Sequence, residues 1–279
     1  MNKTKIEWTD CSLNPVVGCP HGCPYCYARM QAYRQKQKCQ MCYEFVKPHP
    51  HLDRLKGLSP KQKPMKIFID SMWDWNAEGV KEEWLGAILE KMAECPQHTF
   101  QILSKRPKRY DRFNLPLNVW IGTSIATNAE TDRVKDLANL KAKNLKFVSI
   151  EPIHQAIDFQ FSRNAIDWLI VGAETGHRKD KVRANPKWIA AILENAKKEG
   201  IPLFIKNSAG WREKVQEFPD ETMRETGVHE KEDILGYESD QGVYCKECLP
   251  KDTKIQVALT EESRGGDIIY ICDRCKKEV

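Results

Sequence analysis

The sequence has no long apolar run. Its longest stretches, such as residues 168–173, are far short of the roughly 20 residues a bilayer-spanning helix needs. The opening residues MNKTKIEWTDC carry no apolar stretch of the kind a secretory signal requires. These absences predict a cytoplasmic protein with no membrane partner. Charge of one sign is scarcely in excess: 44 Lys plus Arg stand against 39 Asp plus Glu over 279 residues, a net +5. That balance excludes bulk charge as a reason to bind nucleic acid, and only local clusters can supply one. No internal repeat is present, which excludes a solenoid. No nucleophile-and-base constellation names a reaction class.

Cysteine, by contrast, is abundant. Nine of the 11 fall into groups: Cys19/Cys23/Cys26, Cys39/Cys42, Cys245/Cys248 and Cys272/Cys275. In a reducing compartment such grouping points to metal rather than to disulfides. Cys11 and Cys95 stand alone and read as small buried hydrophobes.

Between about residues 66 and 206, β-rich runs alternate with helical patterns. The runs are Lys66–Asp70, Thr99–Ser104, Asn118–Ser124, Lys146–Glu151, Asp167–Gly172 and Pro202–Lys206. They are mostly continuous apolar stretches, as expected of parallel strands covered on both faces. The spacing predicts helices over Val80–Glu94, over Glu130–Leu140 and after Asn185-Pro186, the last closed by Gly200. With Pro15–Gly18 as a seventh strand, the pattern predicts an α/β protein with a partial or full (β/α) barrel of TIM-like type. Residues 31–65 break the pattern and read as an insertion into a domain spanning 1–219. Residues 220–242 read as a linker or cap, and 243–279 as a separate small module.

Gly18-Cys-Pro-His-Gly-Cys-Pro-Tyr-Cys26 contains C-x3-C-x2-C on a tight Gly/Pro loop. Three thiolates there can hold three irons of a [4Fe–4S] cubane and leave the fourth iron open. The competing reading is a zinc loop with a fourth ligand such as His21. The motif resembles that of the radical S-adenosylmethionine superfamily, which places an aromatic residue just before the third cysteine, as Tyr25 stands here. Lys5-Ile-Glu-Trp-Thr-Asp10, Cys26-Tyr-Ala28, Lys105-Arg-Pro107, Asn118-Val-Trp-Ile-Gly122, Ser149-Ile-Glu-Pro152 and Ile166-Asp-Trp168 are similar to the phage gene-product 37/68 family, a radical-SAM-like group, over about residues 3–219. The resemblance implies a barrel of the radical SAM type and an enzyme that cleaves S-adenosylmethionine reductively. The resulting radical would abstract hydrogen from a substrate, with an electron donor such as flavodoxin or ferredoxin.

In (β/α) barrels chemistry gathers at the C-terminal strand ends, where loops vary without harming the core. Those ends carry Asp70, Ser71 and Asp74; Ser104, Lys105 and Arg106; Thr123 and Ser124; Glu151; Glu174; and Lys206 with Asn207. The resemblance implies Ser71 and Asp74 near the cofactor's amino group, and Ser124 and Glu151 near its ribose or sulfonium. Lys105 and Arg106 suit its carboxylate. Lys105, Arg106, Lys108 and Arg109, and His177, Arg178, Lys179, Lys181 and Arg183, form two basic stretches. They read either as a surface for an anionic substrate, nucleic acid or a nucleotide, or as solvated charge.

Cys245-x2-Cys248 and Cys272-x2-Cys275 are two knuckles with strands expected at Ile255–Leu259 and Asp267–Tyr270. That is the arrangement of a zinc ribbon, with a second iron–sulfur cluster as the alternative. Cys39-x2-Cys42 is followed by His49 and His51, which either complete a further metal site or leave the thiols unligated. Two readings of the whole remain: a radical enzyme, or a metal-stabilised nucleic-acid-binding or redox-sensing regulator.

Overall fold

The computed structural model describes residues 2–35, 39–176 and 178–220, the backbone of 234–239, 242–245 and 255–260, and residue 273. The chain divides into two compact units, Met1–Pro219 and Asp220–Val279.

The first unit is built on an eight-stranded sheet. Its strands are β1 (Asn2–Lys3), β2 (Cys11–Ser12), β5 (Lys66–Phe68), β6 (Thr99–Leu103), β7 (Val119–Ile125), β8 (Lys146–Ile150), β9 (Trp168–Val171) and β10 (Leu203–Ile205), in the order β1-β2-β5-β6-β7-β8-β9-β10. All neighbours are parallel except β1, which pairs antiparallel with β2. The seven parallel strands curl into a half-barrel. The six runs read as strands from residue 66 onward are all found, and the seventh is a correction. Val16–Val17 (β3) leaves the sheet to pair antiparallel with His49–Pro50 (β4), and Cys11–Ser12 takes the parallel position instead. Two residues carry too short a pattern to reveal this, because pairing with β5 decides it.

Five α-helices are described: α1 (Tyr27–Ala32), α2 (Gln40–Glu44), α3 (Glu82–Ala93), α4 (Asp132–Ala138) and α5 (Pro186–Glu199). Helix α3 buries Trp84, Leu85, Ile88, Leu89 and Met92, and Glu82 and Glu83 in its first turn suit the positive end of the helix dipole. Helix α5 starts where the Asn185 side chain accepts the Lys187 N–H, has Pro186 at its first position, and ends at Gly200 with φ +66°.

Alternation along the strands separates two cores. Ile67, Ile69, Phe100, Ile102, Ile121, Val148, Leu169, Leu203 and Ile205 pack in one cluster with the helices. Phe68, Trp120, Phe147, Trp168, Ile170 and Phe204 pack in the other with Trp8. Registers place Gln101 beside Phe68 and Trp120, and Trp168 beside Phe147. Going toward the C-terminal strand ends along this second face, the aromatics give way to Asp70, Ser124, Ser149, Glu151 and Lys206, which line a cavity. The inner face is thus an aromatic floor under a polar mouth. Gly122 belongs to that floor, since a Cβ there would lie 2.5 Å from the Phe147 ring.

In the second unit, β11 (Ile234–Ser239) lies between β12 (Gly242–Cys245) and β13 (Ile255–Thr260) in an antiparallel sheet. Strand β11 falls within the span read as a linker or cap. The strand expected at 267–270, the Cys245 side chain, and Cys248, Cys272 and Cys275 lie outside the described residues.

Candidate functional site

The cysteine loop follows β3 and stands at the C-terminal end of the half-barrel. Its backbone is tied on two sides: Gly18 N–H donates to Met72 O at 3.1 Å, and Cys19 N–H to Phe45 O at 3.2 Å. Cys26 caps α1, its Sγ accepting the Arg29 N–H at 3.4 Å. All three thiols line one cavity of about 190 Å³ with Tyr25, Ser71, Asp74, Lys105, Ser124, Glu151 and Glu174. Residues far apart in sequence are therefore neighbours here: every expected cofactor-binding residue except Arg106 lines this cavity. Arg106 turns outward, its Nη2 3.8 Å from Glu78 Oε2. Strand-end spacing cannot tell which of two adjacent cations points inward.

Asp74 is more heavily engaged than the sequence suggests. Its carboxylate faces His21 Nε2 at 3.1 Å and accepts from Ser104 Oγ at 2.7 Å, Lys105 N–H at 2.8 Å and Asn76 N–H at 3.0 Å. Burial pushes its pKa up, but these bonds outweigh burial and hold it below the ordinary carboxylate range. Asp74 thus ties the cysteine loop to the end of β6, and His21 turns toward it. Ser71 is held by Asn14, whose Nδ2 donates to Ser71 Oγ at 2.9 Å. Lys105 Nζ donates to Ser124 Oγ at 3.0 Å and lies 5.8 Å from the Tyr25 ring centre.

Beside Tyr25 lies His154, which the strand-end reading does not single out. His154 meets Tyr25 edge-on at 5.1 Å and faces Glu174 Oε2 at 3.1 Å. Arg178 donates to both Glu174 oxygens, at 2.6 and 2.8 Å, and these bonds chiefly hold Glu174 down to about 2. Glu151 is ion-paired with Lys206. Gly172 leaves room for that pair, a Cβ there lying 3.0 Å from both side chains. His154 follows the strand-end Glu151 by three residues, and extending the strand-end reading by one turn of loop would have included it.

Several of the basic residues are used internally. Lys108 pairs with Asp136 at 3.0 Å, and Arg109 donates to Asn76 O at 2.7 Å. His177 lies outside the described residues.

Two groups in this cavity wall are buried with an unpartnered polar atom: Asp70 Oδ1 and Trp8 Nε1. Asp70 is only 3% exposed, and burial raises its pKa well above the ordinary value despite the Leu103 N–H at 2.8 Å on its other oxygen. Burial also pushes the Cys19 thiol up to about 12. A carboxyl with a raised folded-state pKa stabilises the fold below its unfolded value and loses that contribution as pH rises through the folded value. Asp70→Asn is therefore expected to gain about 1–2 kcal/mol at neutral pH, read as a higher Tm. The gain should shrink in acid. A gain that does not depend on pH would remove Asp70 as its source.

A second cluster lies apart from this cavity. The ligand atoms of Cys39, Cys42, His49 and His51 all lie within 4.8 Å of one another, and no other group of this kind is found among the described residues. Among those residues no helix is long and apolar enough to cross a membrane.

No curated protein and no solved structure matches the chain. Residues 3–254 match the family described as "Protein of unknown function (DUF5131)", a span reaching through the first unit and into the second. The chain belongs to the DUF5131 family.

Proposed function

We propose that the chain is a radical S-adenosylmethionine enzyme whose Cys19, Cys23 and Cys26 hold a [4Fe–4S] cluster. The observation that carries this reading is the placing of three thiols on one polar cavity at the C-terminal ends of a parallel half-barrel. On this reading the half-barrel is the radical SAM form of the (β/α) barrel.

When bound, the cluster supplies the electron for reductive cleavage of S-adenosylmethionine and hence for hydrogen abstraction from a substrate. The chain's own residues bind and orient. Lys105 offers a cation to the cofactor's carboxylate, and the unpartnered Asp70 Oδ1 offers an acceptor to its ammonium. Tyr25, held edge-on by His154, gives a flat wall for the adenine. Ser124 and the Glu151–Lys206 pair stand on the ribose side. Trp8, Phe68 and Leu103 form an apolar floor that excludes water from below. Asp74 acts by positioning the cysteine loop, so Asp74→Ala should lower iron content as well as cofactor affinity. We assign an anionic substrate, nucleic acid or a nucleotide, a flavodoxin- or ferredoxin-like electron donor, and a zinc ribbon to the second unit.

The test is anaerobic reconstitution with iron and sulfide, then dithionite and S-adenosylmethionine. Wild type should form 5′-deoxyadenosine, detected by chromatography, and the reduced cluster's EPR signal should change when S-adenosylmethionine is added. Cys23→Ser should lose both. An iron-loaded wild type whose EPR signal ignores S-adenosylmethionine would sink the reading and leave a metal-braced scaffold.

A further inference from the structure

We infer that Cys39, Cys42, His49 and His51 form a closed, tetrahedral zinc site that clamps residues 39–51 against the loop of Cys19–Cys26.

Local structure brings the four ligands together. Cys39 caps α2, its Sγ accepting the Cys42 N–H at 3.3 Å, so both sulfurs sit at the first turn of one short helix. His49 and His51 are two residues apart on and just beyond β4, and their rings meet at 4.9 Å. His49 Nδ1 lies 3.2 Å from Lys47 O, which fixes the ring and leaves Nε2 for a metal. Cys42 Sγ is 3.2 Å from both His49 Nε2 and His51 Nε2, and Cys39 Sγ is 3.7 Å from His49 Nε2. A tetrahedral zinc with ordinary Zn–S and Zn–N bonds puts sulfur and nitrogen about 3.5 Å apart. The observed separations straddle that value.

The chemistry of the donors selects the ion. Two thiolates and two imidazoles in tetrahedral array suit zinc, and no carboxylate joins them. None of the four lines the cavity of the cysteine loop, so the site has the closed character of a structural ion.

Its position defines what it holds. Strand β4, which carries His49, pairs with β3, the strand that leads into Cys19, with Val17 opposite His49. His51 N–H donates to Pro15 O at 2.7 Å. Phe45, between the two ligand pairs, accepts the Cys19 N–H and has the left-handed φ of +54° that a bulky residue adopts only when its surroundings impose it. An ion joining α2 to β4 closes the chain on both sides of Phe45 and so fixes the backbone that Cys19 hangs from.

The site stands whether or not the cysteine loop carries a cluster, and the test is arranged accordingly. Full-length protein carrying Cys245→Ser and Cys248→Ser, which disarms the terminal knuckles, is titrated with cobalt(II) before any iron is added. One equivalent of tetrahedral cobalt with thiolate and imidazole ligands is expected, displaced by zinc. Adding Cys42→Ser or His51→Ala should remove it, while His51→Cys should keep a tetrahedral cobalt with an extra thiolate signature. Limited proteolysis then reads the clamp: removing zinc should speed cleavage within residues 30–65 about tenfold or more. Absence of the cobalt equivalent, its survival in Cys42→Ser, or cleavage indifferent to zinc would each overturn the inference. Failure to form 5′-deoxyadenosine with the cobalt signal intact would sink only the radical-enzyme proposal.

Discussion

Trp168→Ala is expected to destabilise the unit of residues 1–219 by about 3–5 kcal/mol, the cost typical of deleting a large aromatic from a packed core. For a unit of this size that is a fall in Tm of roughly 6–20 °C. Trp168 is fully buried at the centre of the half-barrel floor. Its ring lies 5.6 Å from Trp120, 5.7 Å from Phe147, 6.2 Å from Trp8 and 6.3 Å from Phe204, several of these edge-on. Its Nε1 donates to Glu217 O at 2.9 Å, which pins the end of the unit against the barrel. Alanine would leave a void among rings that cannot collapse, because Trp120, Phe147 and Phe204 are each fixed to a different strand. Trp168→Phe should cost less, about 1–2 kcal/mol, since it keeps most of the ring and loses the hydrogen bond. Thermal unfolding followed by near-ultraviolet circular dichroism measures both. A Trp168→Ala shift no larger than that of an exposed substitution would mean that the aromatic floor does not hold the barrel.

Gly18→Ala should cost about 1–3 kcal/mol and, under the proposed cluster reading, lower the iron content of reconstituted protein several-fold. Two observations converge on this residue. Its φ is +106°, a region that side chains rarely enter, and an added Cβ would stand 2.2 Å from Lys47 O. The obstacle is backbone from the segment that β4 anchors, so it cannot swing aside like the tip of a long side chain. Relief would require Gly18 to retreat, breaking its bond to Met72 O and shifting Cys19 from its bond to Phe45 O. Gly22 provides the comparison. It also has a positive φ, +67°, but nothing lies within 4 Å of its would-be Cβ. Gly22→Ala should therefore carry only the conformational penalty, about 1–2 kcal/mol, and spare the junction with β3. Equal losses of iron and stability in the two variants would show that strain alone, and not the contact with Lys47, governs the loop.

Some of this was determined along the chain itself. The apolar runs of β5 to β10, the helix period of α3, and the Asn185-Pro186 start and Gly200 stop of α5 are local signals, and each produced the element it predicts. The grouping of cysteines and the polar residues at strand ends are equally local. Tertiary structure decided the rest. Only the half-barrel's curl turns alternate strand residues into an aromatic floor with polar groups above it. Only packing sends Lys105 into the cavity and its neighbour Arg106 out toward Glu78. The place of β2 in the parallel sheet, the knot of donors around Asp74, and the meeting of Cys39 and Cys42 with His49 and His51 all join residues distant in sequence or separated by turns. Propensity and period act over a few residues, whereas these contacts depend on which face of one element meets another, and that is settled only when the core closes.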